Sequence, residues 1–214
     1  MRLEWPKALS ARDMREMLDL MNGVAVQERN LGFNEPLNDE DGLALMRAFD
    51  EELRRGAVRL LLVRGEGERV IGMVTLARAP QPGRRHVVDL RRCVIHPDHR
   101  GRFLDTGFAE ALRATAEMGC DILTLEVRDD GPMRLWQRLG FQEYGRLHDY
   151  ARKDGRSVTG YFMYARRADL EDHFRRTGRW SHRIDPAGEP AAGRVTGSGS
   201  AATGAANGSV VPGV

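Results

Sequence analysis

With 214 residues the chain can bury one good core, and the length fits about one to two domains. Its 33 Lys and Arg nearly balance 31 Asp and Glu, and a net charge of +2 indicates neither nucleic acid nor a membrane surface as partner. Nowhere do about 18 apolar residues run uninterrupted, MRLEWPKALSARDM has no apolar segment of the secretory kind, and Cys93 and Cys120 form no CxxC pair, so a soluble cytoplasmic protein with buried thiols is expected.

Leu3 to Trp5 reads as a short strand stopped by Pro6. Ser10 with Asp13 has the form of a capping box, and Met14, Met17, Leu18, Met21, Ala25 and Val26 recur at helical spacing as a core-facing stripe. Residues 30–38, NLGFNEPLN, are turn formers around Phe33, either a connector or the lining of a pocket. Asp39 or Asp41 can cap a second helix through Leu43, Met46, Phe49 and Leu53 to Gly56.

Ala57–Val63 and Val70–Ala79 read as a hairpin about 64–69, and His86–Ile95 as a third strand, which makes an antiparallel meander. A helix over Phe103–Met118 then crosses to Ile122–Val127, ILTLEV, which must lie parallel to the strand ending at Ile95. A short helix over Pro132–Leu139 ends at Gly140, a strand starts at Phe141, and residues near Tyr144–Arg152 pair across Asp154-Gly155 with Thr159–Arg166. These elements place one domain at 1–166. Residues 167–186 read as a frayed helical extension bearing His173, Trp180 and His182, and 187–214 as a disordered tail poor in apolar side chains.

The most informative stretch is His86–Met118. A strand ends at Ile95, a His-Pro-Asp turn follows, and Arg100-Gly101-Arg102 leads straight into a helix. Free N–H groups and the helix dipole at such a junction favour an anion. Arg84, Arg85, Arg91, Arg92, Arg100 and Arg102 form a basic cluster without interleaved aromatics, which favours phosphate or an anionic substrate over nucleic acid. His96 and His99 flank Pro97 with no third ligand in view, so they read as loop histidines and no metal is expected.

Val94-Ile95-His96-Pro97-Asp98-His99-Arg100-Gly101-Arg102, followed by Leu104, Phe108, Glu110, Ala111 and Leu112, together with Leu135-Trp136-Gln137-Arg138-Leu139-Gly140-Phe141, resembles the GNAT superfamily of CoA-dependent N-acyltransferases over about residues 3–166. The resemblance implies an α+β, three-layer fold: a mixed, mostly antiparallel sheet of six to seven strands, helices on both faces, and a parallel splayed pair in the middle. It implies that the backbone of Val94, Ile95 and His96 pairs with the pantetheine arm, and that N–H groups of Arg100, Gly101, Arg102, Phe103, Leu104, Asp105, Thr106 and Gly107 cradle the pyrophosphate. Phe103 and Asp105 stand where the family usually has glycines.

The implied reaction is direct attack of an amine on acetyl-CoA, with Asp89 at the place of the family's general base and Glu126 as a second candidate acting through water. Position 136 is usually a tyrosine that protonates the leaving thiolate; Trp136 is no practical acid, so the thiolate leaves unaided or through water. The acceptor is expected to be a small-molecule amine or an amino acid, and the protein a monomer or homodimer. Asp89-Leu90-Arg91-Arg92 also resembles the Glu-Leu-Ser-Arg strand of autoinducer and acyl amino acid synthases, which leaves long-chain acyl transfer as an alternative. A non-catalytic CoA-binding module is another.

Overall fold

The computed structural model describes residues 1–28, 35–128, 130–153 and 155–177; the side chains of 26–28, 100–105, 130 and 153 lie outside that description. Among the described residues seven strands form one sheet: β1 (Arg2–Glu4), β2 (Val58–Arg64), β3 (Val70–Arg78), β4 (Val87–Ile95), β5 (Ile122–Arg128), β6 (Gln142–Lys153) and β7 (Arg156–Arg166), in the order β1-β2-β3-β4-β5-β7-β6. All neighbours pair antiparallel except β4 and β5, which are parallel, as the helix crossover between them requires. The mixed α+β architecture expected from the sequence is the one found.

Helices α1 (Ala11–Glu28) and α2 (Asp39–Arg54) cover one face, where Met17, Met21, Met46 and Phe49 meet Leu60, Leu62 and Met73. The other face carries α3 (Arg100–Glu117), α4 (Asp130–Arg138) and α5 (Arg167–Arg176), with Phe108, Leu112, Trp136, Leu139 and Phe174 against Val74, Leu76, Val88 and Leu123. Because β2 is covered on both sides, its sequence is a nearly continuous apolar run rather than an alternating one.

Local signals account for most boundaries. Ser10 and Asp13 make the reciprocal capping box at the start of α1. The second helix is capped by Asn38, not by Asp39 or Asp41: Asn38 Oδ1 accepts from the Asp41 N–H at 2.9 Å. At the end of α4 the Phe141 N–H donates to Trp136 O and the Gly140 N–H to Gln137 O, with Gly140 at φ 102 where a side chain would be strained. Buried Arg64 ties β1, β2 and α1 together through Glu4 and Asp13, each at 2.6 Å.

Two sequence expectations change. The crossover helix begins at Arg100, three residues before Phe103, because the turn at Pro97–His99 already winds into it. The segment read as frayed contains α5, whose Leu170 and Phe174 are fully buried; Phe174 stacks on Phe108 at 5.1 Å. Asp154, Trp180, His182 and the 187–214 tail lie outside the described residues, as do residues 29–34 with Phe33.

Phe174→Ala is therefore expected to cost about 3 to 5 kcal/mol of unfolding free energy. Chemical denaturation measures it; a loss below about 1 kcal/mol would mean that α5 is not part of the core.

Candidate active site

The site grows from an irregularity in β4. Met73 stands opposite Val94 and Thr75 opposite Arg91, so β4 holds one residue more than β3 over that step. Arg92 occupies the bulge at φ 46, an unusual value for a side chain other than glycine or asparagine. The bulge resets the alternation: Val88 and Leu90 face α3, and three residues on Cys93 and then Ile95 face it again, while Val94 packs with the α1 and α2 side. The Arg92 guanidinium lies over the Phe49 ring at 5.1 Å, and burial pushes its pKa down. Thr75 is fully buried beside the slip, and its Oγ1 has no hydrogen-bond partner among the described residues.

The pairing of β4 with β5 stops at the same place. Val87, Val88 and Asp89 stand opposite Ile122, Leu123 and Thr124, and no further pair follows. Past Asp89 the two parallel strands part, so one edge of β4 keeps β3 while the other edge is open. The His96 N–H donates to Ile71 O at 2.8 Å, toward β3. Backbone groups alternate sides along a strand, so Val94 also turns toward β3, and the groups that face the opening are those of Cys93 and Ile95.

The first turn of α3 stands at the end of this opening. Its N-cap, His99, supplies no side-chain acceptor, which leaves the N–H groups and the positive end of the dipole for an anion. The side chains of Arg100, Arg102, Phe103, Leu104 and Asp105 lie outside the described residues; Thr106 is half-buried and Gly107 buried. His96 is engaged locally, with its Nδ1 accepting from the Asp98 N–H at 3.4 Å and its ring 5.7 Å from that of His99. Burial pushes the Cys93 thiol up to about 12, so it holds its proton and is a poor nucleophile.

Beside the opening, on the α2 side of the sheet, lies a cavity of about 400 Å³. Asp89 and Glu126 both line it, from β4 and β5 respectively. Asp89 accepts from Arg91 Nε at 2.7 Å and from Thr124 Oγ1 at 3.2 Å. Glu126 accepts from the Tyr150 hydroxyl, and this hydrogen bond raises the phenol's pKa, with burial adding to it. Tyr150 lies edge-on to Phe162 and directly over Gly160, where a Cβ would meet the ring at 2.6 Å. Thus Gly160 is what lets the tyrosine lie flat on β7 and reach Glu126.

Trp136 is elsewhere. It is 8% exposed and packs with Phe108 and, edge-on at 5.2 Å, with Phe141 in the core under α3. The Tyr150 contact, the place of Arg78 and Thr124 in the cavity lining and the Cys93 backbone that faces the opening were not singled out from sequence. For Cys93 a signal existed, since the apolar spacing Val88, Leu90, Cys93, Ile95 skips a beat at Arg91-Arg92. Among the described residues no group of three His, Cys, Asp or Glu could hold a metal ion, and no helix is long and apolar enough to cross a membrane.

A family model described as the acetyltransferase (GNAT) family matches residues 25–141. No curated protein matches the chain. Among solved structures, a ribosomal-protein-alanine N-acetyltransferase from Brucella melitensis is similar at TM-score 0.64 and 19% identity, covering 78% of this chain and 99% of that one. The spermidine N-acetyltransferase of Vibrio cholerae, in complex with CoA and spermine, has TM-score 0.62 and 23% identity over 79% of this chain and 98% of its own. A phosphinothricin acetyltransferase from Sinorhizobium meliloti, in complex with AcCoA, has TM-score 0.63 and 16% identity over 78% and 89%. At these identities the likeness is one of fold.

If the Glu126 carboxylate is what holds the Tyr150 proton, Glu126→Ala should lower the Tyr150 titration midpoint toward the ordinary tyrosine value of about 10. Ultraviolet titration of the variant against the parent reads this; an unchanged midpoint would mean that the hydrogen bond is not formed.

Proposed function

The chain belongs to the acetyltransferase (GNAT) family, and on that premise we propose that it transfers acetyl from acetyl-CoA to the amine of a small molecule or amino acid by direct attack. The observation that carries the reading is the parting of β4 from β5 after Asp89 and Thr124, with an uncapped helix start at its end. An extended arm fits the open edge of β4 as an added strand, and the ledge is assigned to Cys93 and Ile95, because the His96 N–H is already taken by Ile71. The first turns of α3, Arg100 to Gly107, hold the pyrophosphate through their N–H groups. Bound there, acetyl-CoA supplies the activated thioester.

The protein's own part is placement and proton handling. Asp89 is assigned as general base, taking the proton of the acceptor ammonium in the cavity. Glu126 is the second candidate, two residues further along its strand from the Thr124 that faces Asp89, and therefore closer to where the strands have parted. The neutral Cys93 thiol offers no covalent route, which supports direct transfer. Trp136, set in the aromatic core, contributes packing and no proton, and the thiolate leaves unaided or through water.

The test is CoA thiol release from acetyl-CoA across a panel of amines. Release with at least one amine is expected; CoA binding without any turnover would contradict catalysis, and turnover only with a long-chain acyl thioester would reassign the donor. Asp89→Asn should lower kcat/KM by about 10²- to 10⁴-fold and Glu126→Gln by less. The reverse order would move the base to Glu126. Trp136→Phe should change kcat by under tenfold, and a loss of several hundredfold would give the indole a part in the chemistry.

A further inference from the structure

The sheet face that holds Asp89 and Glu126 also holds an aromatic surface. On β7, Tyr161 and Met163 belong to the core under α3, so Phe162 and Tyr164 point to the other face, the one that α1 and α2 cover over β2, β3 and β4. Phe162 stands opposite Glu126. Tyr164 stands opposite Thr124, which itself stands opposite Asp89. Residues directly opposite in a sheet project to the same side, so the two carboxylates and the two rings share one face on adjacent strands.

Tyr144 completes this surface from β6. It is the extra residue where the register slips between Glu143 and Gly145, and its ring lies 6.3 Å from that of Phe162 and 6.0 Å from that of Tyr164. Tyr150 adjoins it, edge-on to Phe162 at 5.8 Å. Leu147 stands opposite Gly160, over which the Tyr150 ring lies, and so joins the same face. Tyr144 is 60% exposed and Leu147 52%, which makes them two of the four exposed large apolar side chains among the described residues. Scattered apolar side chains on a surface need no explanation, but a contiguous group marks a binding site. Continuity identifies the occupant, because Tyr144 and Phe162 line the same cavity of about 400 Å³ as Asp89 and Glu126. An ammonium suits the carboxylates and the ring faces beside them. An aromatic body suits the rings, which already meet one another at the 4.5 to 7 Å spacing of favourable ring pairs.

We propose that the acceptor is a primary amine attached to an aromatic ring system, whose ring packs on Tyr144 and Phe162 while its ammonium faces Asp89 and Glu126. This rests on the acetyl-transfer reading for its reaction but not for its binding. Tyr144 sets acceptor specificity through ring contact and touches no reacting atom.

The experiment compares 2-phenylethylamine and tryptamine with n-butylamine and spermidine, which carry a primary amine without a ring. Direct binding to the CoA-loaded protein is measured by calorimetry, and kcat/KM by thiol release. The aromatic amines should be preferred by about tenfold, which corresponds to roughly 1.4 kcal/mol. In Tyr144→Ser, at an exposed position that supports no core, the preference should fall toward one through a rise in Kd or KM for the aromatic amines. Aromatic amines that bind no better than n-butylamine or spermidine, or an undiminished preference in the variant, overturn the proposal. Sedimentation of the parent and of Tyr144→Ser tests a second copy of the chain as the occupant: equal masses support the acceptor, and a dimer that the substitution dissociates overturns it. Should no amine release thiol, the acetyl-transfer reading fails while the calorimetric preference still decides this one.

Discussion

One extra residue in β4 governs the rest of the molecule. Strand β4 must pair with β3 along its whole length and with β5 only at its start, and the bulge at Arg92 is where those two demands are reconciled. A strand bent and twisted at that point can follow β3 while leaving β5 behind. The conformation has costs: a left-handed arginine, about 1 to 2 kcal/mol by the usual steric penalty, and a buried Thr75 hydroxyl without a partner among the described residues. The packing of Arg92 over Phe49 and the two apolar cores on either side hold it in place.

The functional groups follow from that geometry. Parting the strands exposes one edge of β4, aims it at the start of α3, and leaves Asp89 and Glu126 on the same face at the point of divergence. Supporting contacts reach the site from further off. Gly160 makes room for the Tyr150 ring that holds Glu126, and Thr124 and Arg91 orient Asp89 from the same sheet. Trp136, Phe141 and Phe174 gather around Phe108 of α3, so the helix whose start presents backbone N–H groups is anchored in a buried aromatic cluster.

Much of the fold could be read in the sequence because its signals are local. The methionine stripe of α1, the capping box at Ser10, the apolar run of β2 and the glycine stop at Gly140 each record a nearest-neighbour constraint. The parallel placement of β5 followed from chain connectivity alone. What the sequence hid was long-range. Arg92 is not a residue type that signals positive φ, so the bulge left only a phase slip in the apolar pattern. Asn38 was passed over because three acids crowd the same helix start. The burial of α5 depends on its seat against α3 and β7, and its few apolar residues, Leu170 and Phe174, look sparse until that seat exists. Asp89 and Glu126 were visible as acids on adjacent strands; Tyr150 was not, because its reach across β7 depends on Gly160 opposite it.

Residue-resolved amide hydrogen exchange with and without CoA tests the central claim, that the open edge of β4 and the first turn of α3 are one binding surface. CoA should slow exchange at Cys93, Ile95 and the first-turn amides of α3, and leave His96, already bonded to Ile71, largely unchanged. Protection confined to other segments, or at His96 but not at Cys93 and Ile95, would contradict the account.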